Sequence, residues 1–295
     1  IRYLALNASG AVTVNGSNLS VAVPYQTQYH LTMVAIPSNA GSVSPQSGWH
    51  NAGASVNISA TANNGYRFYE WVGTGPGSYS GIENSANIIM NGPINETAYF
   101  AKANITITFN ATGILASYDP TSTMLTLTYG GNTYDITYSQ MPYNVTVPYG
   151  TVVQFAYQSP VAYSSNVRYV WVSTTGLSNS QSGSINATQS GEVTATYQLQ
   201  FLLVMQVSPG NGGTTSPSAG SYWYNSGTSV SIGATANSGY EFVSWSGSGS
   251  GSYSGKDNPA TVTINGPVTE VATFEELYQI VFTESGLPSG TQWSV

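Results

Sequence analysis

The sequence predicts an all-β chain built as a tandem array of small modules, and three observations carry this. Residues 49–100 recur at 223–274 with a constant offset of 174 and no gap, identical at 29 of 52 positions. Apolar residues alternate with period two along most of the chain, and helical periodicity is missing almost everywhere. Clusters of Gly, Asn, Ser and Pro break these alternating runs at short intervals. Self-similarity at a fixed period marks a modular array, so function is sought first in its length and surface.

The elements follow in order. Upstream of the gapless match, Pro37 pairs with Pro209 and Pro45 with Pro217 at an offset of 172. In ASVNISATA, Val56, Ile58 and Ala60 point to one face and Asn57, Ser59 and Thr61 to the other. Asn63-Asn64-Gly65 supplies the positive-φ residues of a short turn, and YRFYEWVG returns as the partner strand. Strict alternation sets Tyr66, Phe68 and Glu70 against Arg67, Tyr69 and Trp71. A Gly/Ser/Pro loop (73–81 and 247–255), a short strand and an Asn-Gly-Pro turn lead to a last strand ending at Phe100 or Phe274. Between the copies, ITITF, MLTLTY, NVTV, TVVQFAY, RYVWV and EVTATY read as further strands. Trp49/Trp223, Tyr66/Tyr240, Phe68/Phe242, Trp71/Trp245 and Phe100/Phe274 recur and are the expected repeat core. About 75 residues is marginal for one domain, so flanking modules are expected to supply cover.

The segment between the copies has its own partial echoes. ITFNATGIL (107–115) resembles IVFTESGLP (280–288), RYLAL (2–6) resembles RYVWV (168–172), and VAVPYQTQ (21–28) resembles VTATYQLQ (193–200). The predicted order is the end of an intervening-type module at 1–28, a first repeat at 29–100, an intervening module at 101–198, a second repeat at 199–275, and the first strand or strands of a next intervening module at 276–295. Repeat plus intervening module spans 172–174 residues. The chain thus reads either as a window on a longer array or as a subunit completed by its neighbours. The large part of the intervening module missing from the combined ends favours the window.

Composition bounds the function. Charged residues make up 6% of the chain and its net charge is −7, while 41% is hydrophobic, which does not fit a disordered chain. Solubility rests on 41 Ser, 32 Thr and 24 Asn. The five basic residues, at 2, 67, 102, 168 and 256, form no patch for nucleic acid or anionic lipid. Few carboxylates are present to destabilise the fold on protonation, so acid tolerance is expected. There is no cysteine, hence no disulfide and no thiolate chemistry, and no apolar run is long enough to span a bilayer as a helix.

Candidate chemistry is sparse. Asn-X-Ser/Thr occurs at Asn7, Asn15, Asn18, Asn57, Asn95, Asn104, Asn110, Asn144 and Asn186. Alternation places Asn57, Asn104, Asn110 and Asn144 opposite apolar neighbours, on faces where an N-glycan would sit in solvent. His30 aligns with Leu202 and His50 with Tyr224, which marks both as structural. Asp119 and Asp135 have no obvious carboxylate partner, so a paired-carboxylate hydrolase site is unsupported. Neither a catalytic residue, a metal site nor a cofactor is expected. Glu96 and Glu270 are shared acids on the apolar side of a strand, a position that requires capping by backbone N–H groups, such as those of the Asn-Gly-Pro turn. Tyr79 and Tyr253, in Gly-Ser-Tyr-Ser-Gly loops, are the aromatic candidates for contact with sugar or a neighbouring module, against the plainer reading of packing on their own module.

The repeat signature Gly-x-x-Val-x-Ile-x-Ala-x-Ala-x-x-Gly-Tyr-x-Phe-x-x-Trp…Ala-x-Phe resembles the divergent InlB-type B-repeat of microbial surface proteins. FTESGLPSGTQWSV (282–295) and RYVWVSTTG (168–176) resemble modules that accompany such repeats in archaeal cell-surface and secreted proteins, including the carboxy-terminal regions of thermopsin-like proteases. The resemblance implies small β-grasp-like and Ig-like β-sandwich modules, extracellular placement, and spacer, adhesive or filament-building roles. It carries over no catalytic residue. The first expectation is therefore a structural segment of an N-glycosylated archaeal surface fibre or surface layer, with copies of itself or adjoining modules as partners. The alternatives are an adhesin stalk or carbohydrate-binding module, and the non-catalytic tail of a secreted thermopsin-like protease.

Overall fold

A computed structural model describes residues 1–6, 10, 13, 15–16, 20–283, 285–292 and 294. The chain forms two compact units. One comprises residues 1–108, 144–153 and 184–191, the other 109–143, 154–183 and 192–295. Among the described residues the regular elements are strands, apart from single 3₁₀ turns at Ala116–Tyr118 and Tyr138–Gln140.

In the first unit, β1 (Arg2–Ala5) and β2 (Tyr25–Ile36) are followed by β3 (Gly41–Ser44), β4 (Gly48–Asn51), β5 (Ser55–Ala62), β6 (Tyr66–Thr74), β7 (Ser85–Ile89) and β8 (Ile94–Lys102). β2 is the spine. Its first residues pair antiparallel with β1, Gln28 opposite Arg2, and its last six run parallel to β8, Leu31 opposite Ile94 through Ile36 opposite Tyr99. β4 pairs with β2 from Gln28 to Leu31, and β6 closes the far side of β8. A second sheet, β3-β5-β7, lies across this one. Leu31, Ile58, Trp71, Ile88, Met90, Ile94 and Ala98 form the buried core. Both sheets are strand-rich because alternating β-branched and aromatic residues suit a half-buried pleated surface.

The predicted hairpin at 55–74 forms, but its return strand departs from strict alternation. A bulge between Phe68 and Glu70 shifts the register, so Trp71 turns into the core beside Phe68 instead of away from it. One extra residue on a strand has this effect by definition. Phe242 and Ser244 repeat the bulge, and Trp245 is buried in the same way. Trp49 also departs from expectation: it is 37% exposed and lies outside the core.

β9 (Asn104–Thr112) follows β8 after one residue. The next strands are β10 (Leu125–Tyr129), β11 (Asn132–Ile136), β12 (Tyr143–Pro148), β13 (Val152–Tyr157), β14 (Val161–Ser164), β15 (Val167–Gly176), β16 (Ser182–Asn186) and β17 (Gly191–Ser208). In the second unit β10 pairs with β11 and β13, while β14-β15-β17 forms another sheet, and the Phe109 and Phe155 rings meet at 5.8 Å in the core of this two-sheet sandwich.

The second repeat comprises the end of β17 with β18 (Gly213–Ser216), β19 (Gly220–Asn225), β20 (Ser229–Ala236), β21 (Tyr240–Gly249), β22 (Ala260–Thr263) and β23 (Val268–Glu276). Its pairings reproduce those of the first: β17 runs parallel to β23 from Leu203 opposite Val268 to Ser208 opposite Thr273, and β21 pairs antiparallel with β23. Parallel first and last strands are the grasp-like feature, and a second sheet covers them.

Trp245→Ala empties the largest side-chain site of its repeat, and the expected loss is about 3–5 kcal/mol of unfolding free energy. Urea denaturation checks this; a loss under about 1 kcal/mol would show that the bulge-set tryptophan is not the core anchor.

Candidate functional site: the joints between modules

The place where each repeat begins is built from the same residues twice. β2 and β17 each change partners there without a break in the strand. On one edge of β17, β15 pairs as far as Phe201 and β23 takes over from Leu203, while β19 pairs with Gln200–Met205 on the opposite edge. At the change of partner a polar row crosses the sheet. Arg2 Nε donates to Gln28 Oε1 at 2.7 Å and Gln28 Nε2 donates to Asn51 Oδ1 at 2.8 Å. In the second unit Arg168 Nε donates to Gln200 Oε1 at 2.9 Å and Gln200 Nε2 to Asn225 Oδ1 at 2.9 Å. Each guanidinium also lies over a tryptophan of the strand that pairs with the opposite edge, 4.8 Å from Trp49 on β4 and 4.2 Å from Trp223 on β19.

Each of these residue types has a physical role. Gln offers an acceptor to one neighbour and a donor to the next, so it relays a directional chain of bonds that no apolar residue could carry. Arg supplies a planar cation that both donates and stacks on an aromatic face. Partial burial pushes the Arg168 pKa down, the sign expected where a cation loses water. Two of the chain's five basic residues are placed in these rows.

The exit from a repeat is also fixed. In the first unit Ala103 N donates to Gly65 O at 2.9 Å and Tyr149 N donates to Ala103 O at 2.8 Å. Gly65 has φ +82° and the Tyr149 ring packs so closely over it that a Cβ there would collide with the ring. In the second repeat Leu277 N donates to Gly239 O at 2.7 Å, and the space over Gly239 is open.

Inside each repeat, Glu96 and Glu270 are fully buried. The N–H that caps them comes from the Gly-Ser-Tyr-Ser-Gly loop, not from the Asn-Gly-Pro turn: Tyr79 N donates to Glu96 Oε1 at 2.7 Å, and Tyr253 N to Glu270 Oε1 at 2.7 Å. Their Oε2 atoms have no partner. Burial pushes both carboxyls above the usual 4.5, partly offset by that N–H. Gly73 and Gly247 pair with these residues, and a Cβ at either would meet the carboxylate. Tyr79 and Tyr253 are half-buried, and Tyr79 packs against the core of its repeat. Asp257 N donates to Tyr253 Oη at 3.0 Å.

The glycosylation candidates are not brought together. Asn15, Asn57, Asn95, Asn104, Asn144 and Asn186 are exposed and Asn110 is half-buried, while Asn7 and Asn18 lie outside the described residues. Asn144 Oδ1 accepts from Thr108 Oγ1 at 2.7 Å, and the Asn57 amide Nδ2 reaches Asn87 Oδ1 at 3.3 Å. Among the described residues no three His, Asp or Glu side chains cluster as a metal site, and no helix is long and apolar enough to cross a membrane.

The family model of the divergent InlB B-repeat domain matches residues 29–104 and 203–277, just over half of the chain. The chain belongs to this family. Both B-repeats therefore start on the strands that carry the Arg–Gln–Asn rows. No curated protein matches the sequence. Among solved structures, the TIE protein of Bacillus anthracis is similar at a TM-score of 0.34 and 7% identity, over 86% of this chain and 53% of that one. The major pilin T-13 of Streptococcus pyogenes follows at 0.22 and 11%, over 58% of this chain and 96% of the pilin. The open form of the pilus adhesin SpaC of Lactobacillus rhamnosus GG is similar at 0.24 and 8%, over 88% of this chain and 45% of the adhesin. The chain spans about half the length of the TIE protein and slightly less of SpaC.

The rows went unseen in the sequence, although the signal was present: an arginine, a glutamine and a Trp-x-Asn recur together in a chain with few charges. Gln200→Ala leaves Arg168 and Asn225 without their shared partner, and the expected cost is about 0.5–1.5 kcal/mol, since the row is partly solvated. Chemical denaturation of the variant checks this; no change in midpoint would reduce the row to ornament.

The buried glutamates set a pH dependence. A folded-state pKa above the unfolded value means that the fold favours the neutral acid, so stability is fullest at or below the ordinary carboxylate range and falls as pH rises through the raised values. Thermal unfolding is expected to occur at lower temperature as pH climbs above 4.5. The double variant Glu96→Gln, Glu270→Gln flattens this slope. Stability that rises from pH 4.5 to neutrality, or a slope unchanged in the double variant, contradicts it.

Proposed function

We propose that the chain is a non-catalytic structural segment of an extracellular surface assembly, an N-glycosylated fibre or surface layer of archaeal type, whose partners are adjoining modules or further copies of itself. The observation that carries this reading is that conserved geometry between the two B-repeats is concentrated at the joints and in the core, where it fixes how one module continues into the next. Membership of the B-repeat family supports a surface setting. A chain with 6% charged residues, no cysteine and mostly exposed sequons is compatible with a glycan-coated surface.

A second reading, an adhesin stalk, has its own observation. On the outer face of the first repeat, Val34, Ile36, Tyr69 and Val72 are exposed around Thr97 and Tyr99. The same positions in the second repeat are Gln206, Ser208, Val243 and Ser246 around Val271 and Thr273, and both valines are half-buried. An exposed apolar face on one copy alone favours an adhesive contact there. The tail of a secreted protease is the remaining alternative, and the full precursor sequence separates it from the other two.

The test is labelling of intact source cells with a membrane-impermeant amine reagent, followed by intact-mass measurement. Lys102 and Lys256, both exposed, are expected to be modified, and the native mass is expected to exceed that of the bare polypeptide. Labelling only after lysis contradicts the surface placement. The bare polypeptide mass removes the glycan.

A further inference from the structure

In each B-repeat the chain enters on one strand of a parallel pair and leaves on the other. Leu31–Ile36 of β2 lies in register with Ile94–Tyr99 of β8, and Leu203–Ser208 of β17 with Val268–Thr273 of β23. The entry end of β2 and the exit end of β8 therefore lie at opposite ends of one hydrogen-bonded ladder. Tension between them slides the two strands along each other and loads all six register pairs together. Pulling both strands from the same end would instead open the pairs one after another.

The elements around this pair remove slack. Upstream, β17 is continuous from the sandwich into the second repeat, and the Arg168–Gln200–Asn225 row ties its neighbours across at the change of partner. Downstream, one residue, Ala103, separates β8 from β9, and it is bonded on both sides, to Gly65 and Tyr149. Behind the ladder, Leu31, Ile94 and Ala98 are buried, so water has little access to its inner side. The sandwich of the second unit repeats the arrangement: the Tyr157 hydroxyl lies 2.8 Å from Asn110 O and 2.7 Å from Val193 O, while two residues on Thr112 Oγ1 donates to Ala195 O. Contacts that advance together along both strands are those of a parallel pair.

We infer that each B-repeat is a shear clamp, a tension-bearing link that stays folded while force passes along the chain. Its biological setting rests on the surface role proposed above; its mechanics do not. Forced unfolding is governed by the unfolding rate under load, so geometry decides it more than equilibrium stability does.

The chain has no cysteine, so pairs of cysteine handles define the pulling direction in the full-length protein. Tyr25→Cys with Lys102→Cys loads the first repeat from opposite ends of its parallel pair. Ser38→Cys with Lys102→Cys loads the same pair from one end. All three positions are exposed, and the length released on unfolding confirms in each trace that the repeat was folded. Single-molecule pulling is expected to give a severalfold higher rupture force for the first pair of handles than for the second. Equal forces, or a higher force for the second pair, overturn the clamp and leave the surface placement untouched. Labelling of native protein only after cell lysis would overturn the placement and leave the clamp standing.

Discussion

Backbone N–H and C=O groups along both edges of a strand must find partners, and that requirement organises this chain. β17 runs for 18 residues, where an ordinary strand has about five or six. No single small module is wide enough to satisfy it. Its first part is covered by β15 and its last part by β23, with β19 on the other edge. One strand therefore belongs to two modules. Separating those modules would expose a ladder edge on each, a costly state that also invites wrong pairing. The polar row at Gln200 sits where the edge changes hands, so the side chains hold the place where the backbone ladder is interrupted.

The two repeats show which features this arrangement demands and which it tolerates. The arginine, the relay glutamine, the Trp-x-Asn of β4 and β19, the bulge before the core tryptophan and the buried glutamate are the same in both. The outer sheet face is not: the first repeat exposes Val34, Ile36, Tyr69 and Val72, and in the second Gln206, Ser208 and Ser246 take three of those four places. Residues that set the path of the chain are kept, while residues that face solvent diverge. A buried carboxylate with an unpartnered oxygen is a poor choice for stability alone. It holds the Gly-Ser-Tyr-Ser-Gly loop by the Tyr79 N–H.

Much of this fold was legible in the sequence. Val56, Ile58 and Ala60 alternate as a half-buried strand must, and Asn63-Asn64-Gly65 marks its turn, because period and turn chemistry are local properties. Glu96 was placed inward by the same alternation. What failed was non-local. A bulge at Phe68–Glu70 cannot be read from hydrophobicity, so strict alternation sets Trp71 against Phe68, although its recurrence already marks it as core. Trp49 looked like core because it recurs, yet it recurs to carry a guanidinium. The joint itself combines residues 26 and 49 positions from Arg2, and only the pairing of β1 and β4 with β2 brings them into one row.

The central claim is that the long strand is one cooperative element across the change of partner, not two strands that meet at a hinge. Native-state hydrogen exchange resolved along β17 tests it most directly. The ladder-bonded amides from Tyr197 to Met205 should exchange with one common opening free energy, close to that of global unfolding. Fast exchange confined to Gln200–Leu202, flanked by slow exchange on both sides, would show a hinge at the joint and contradict the account.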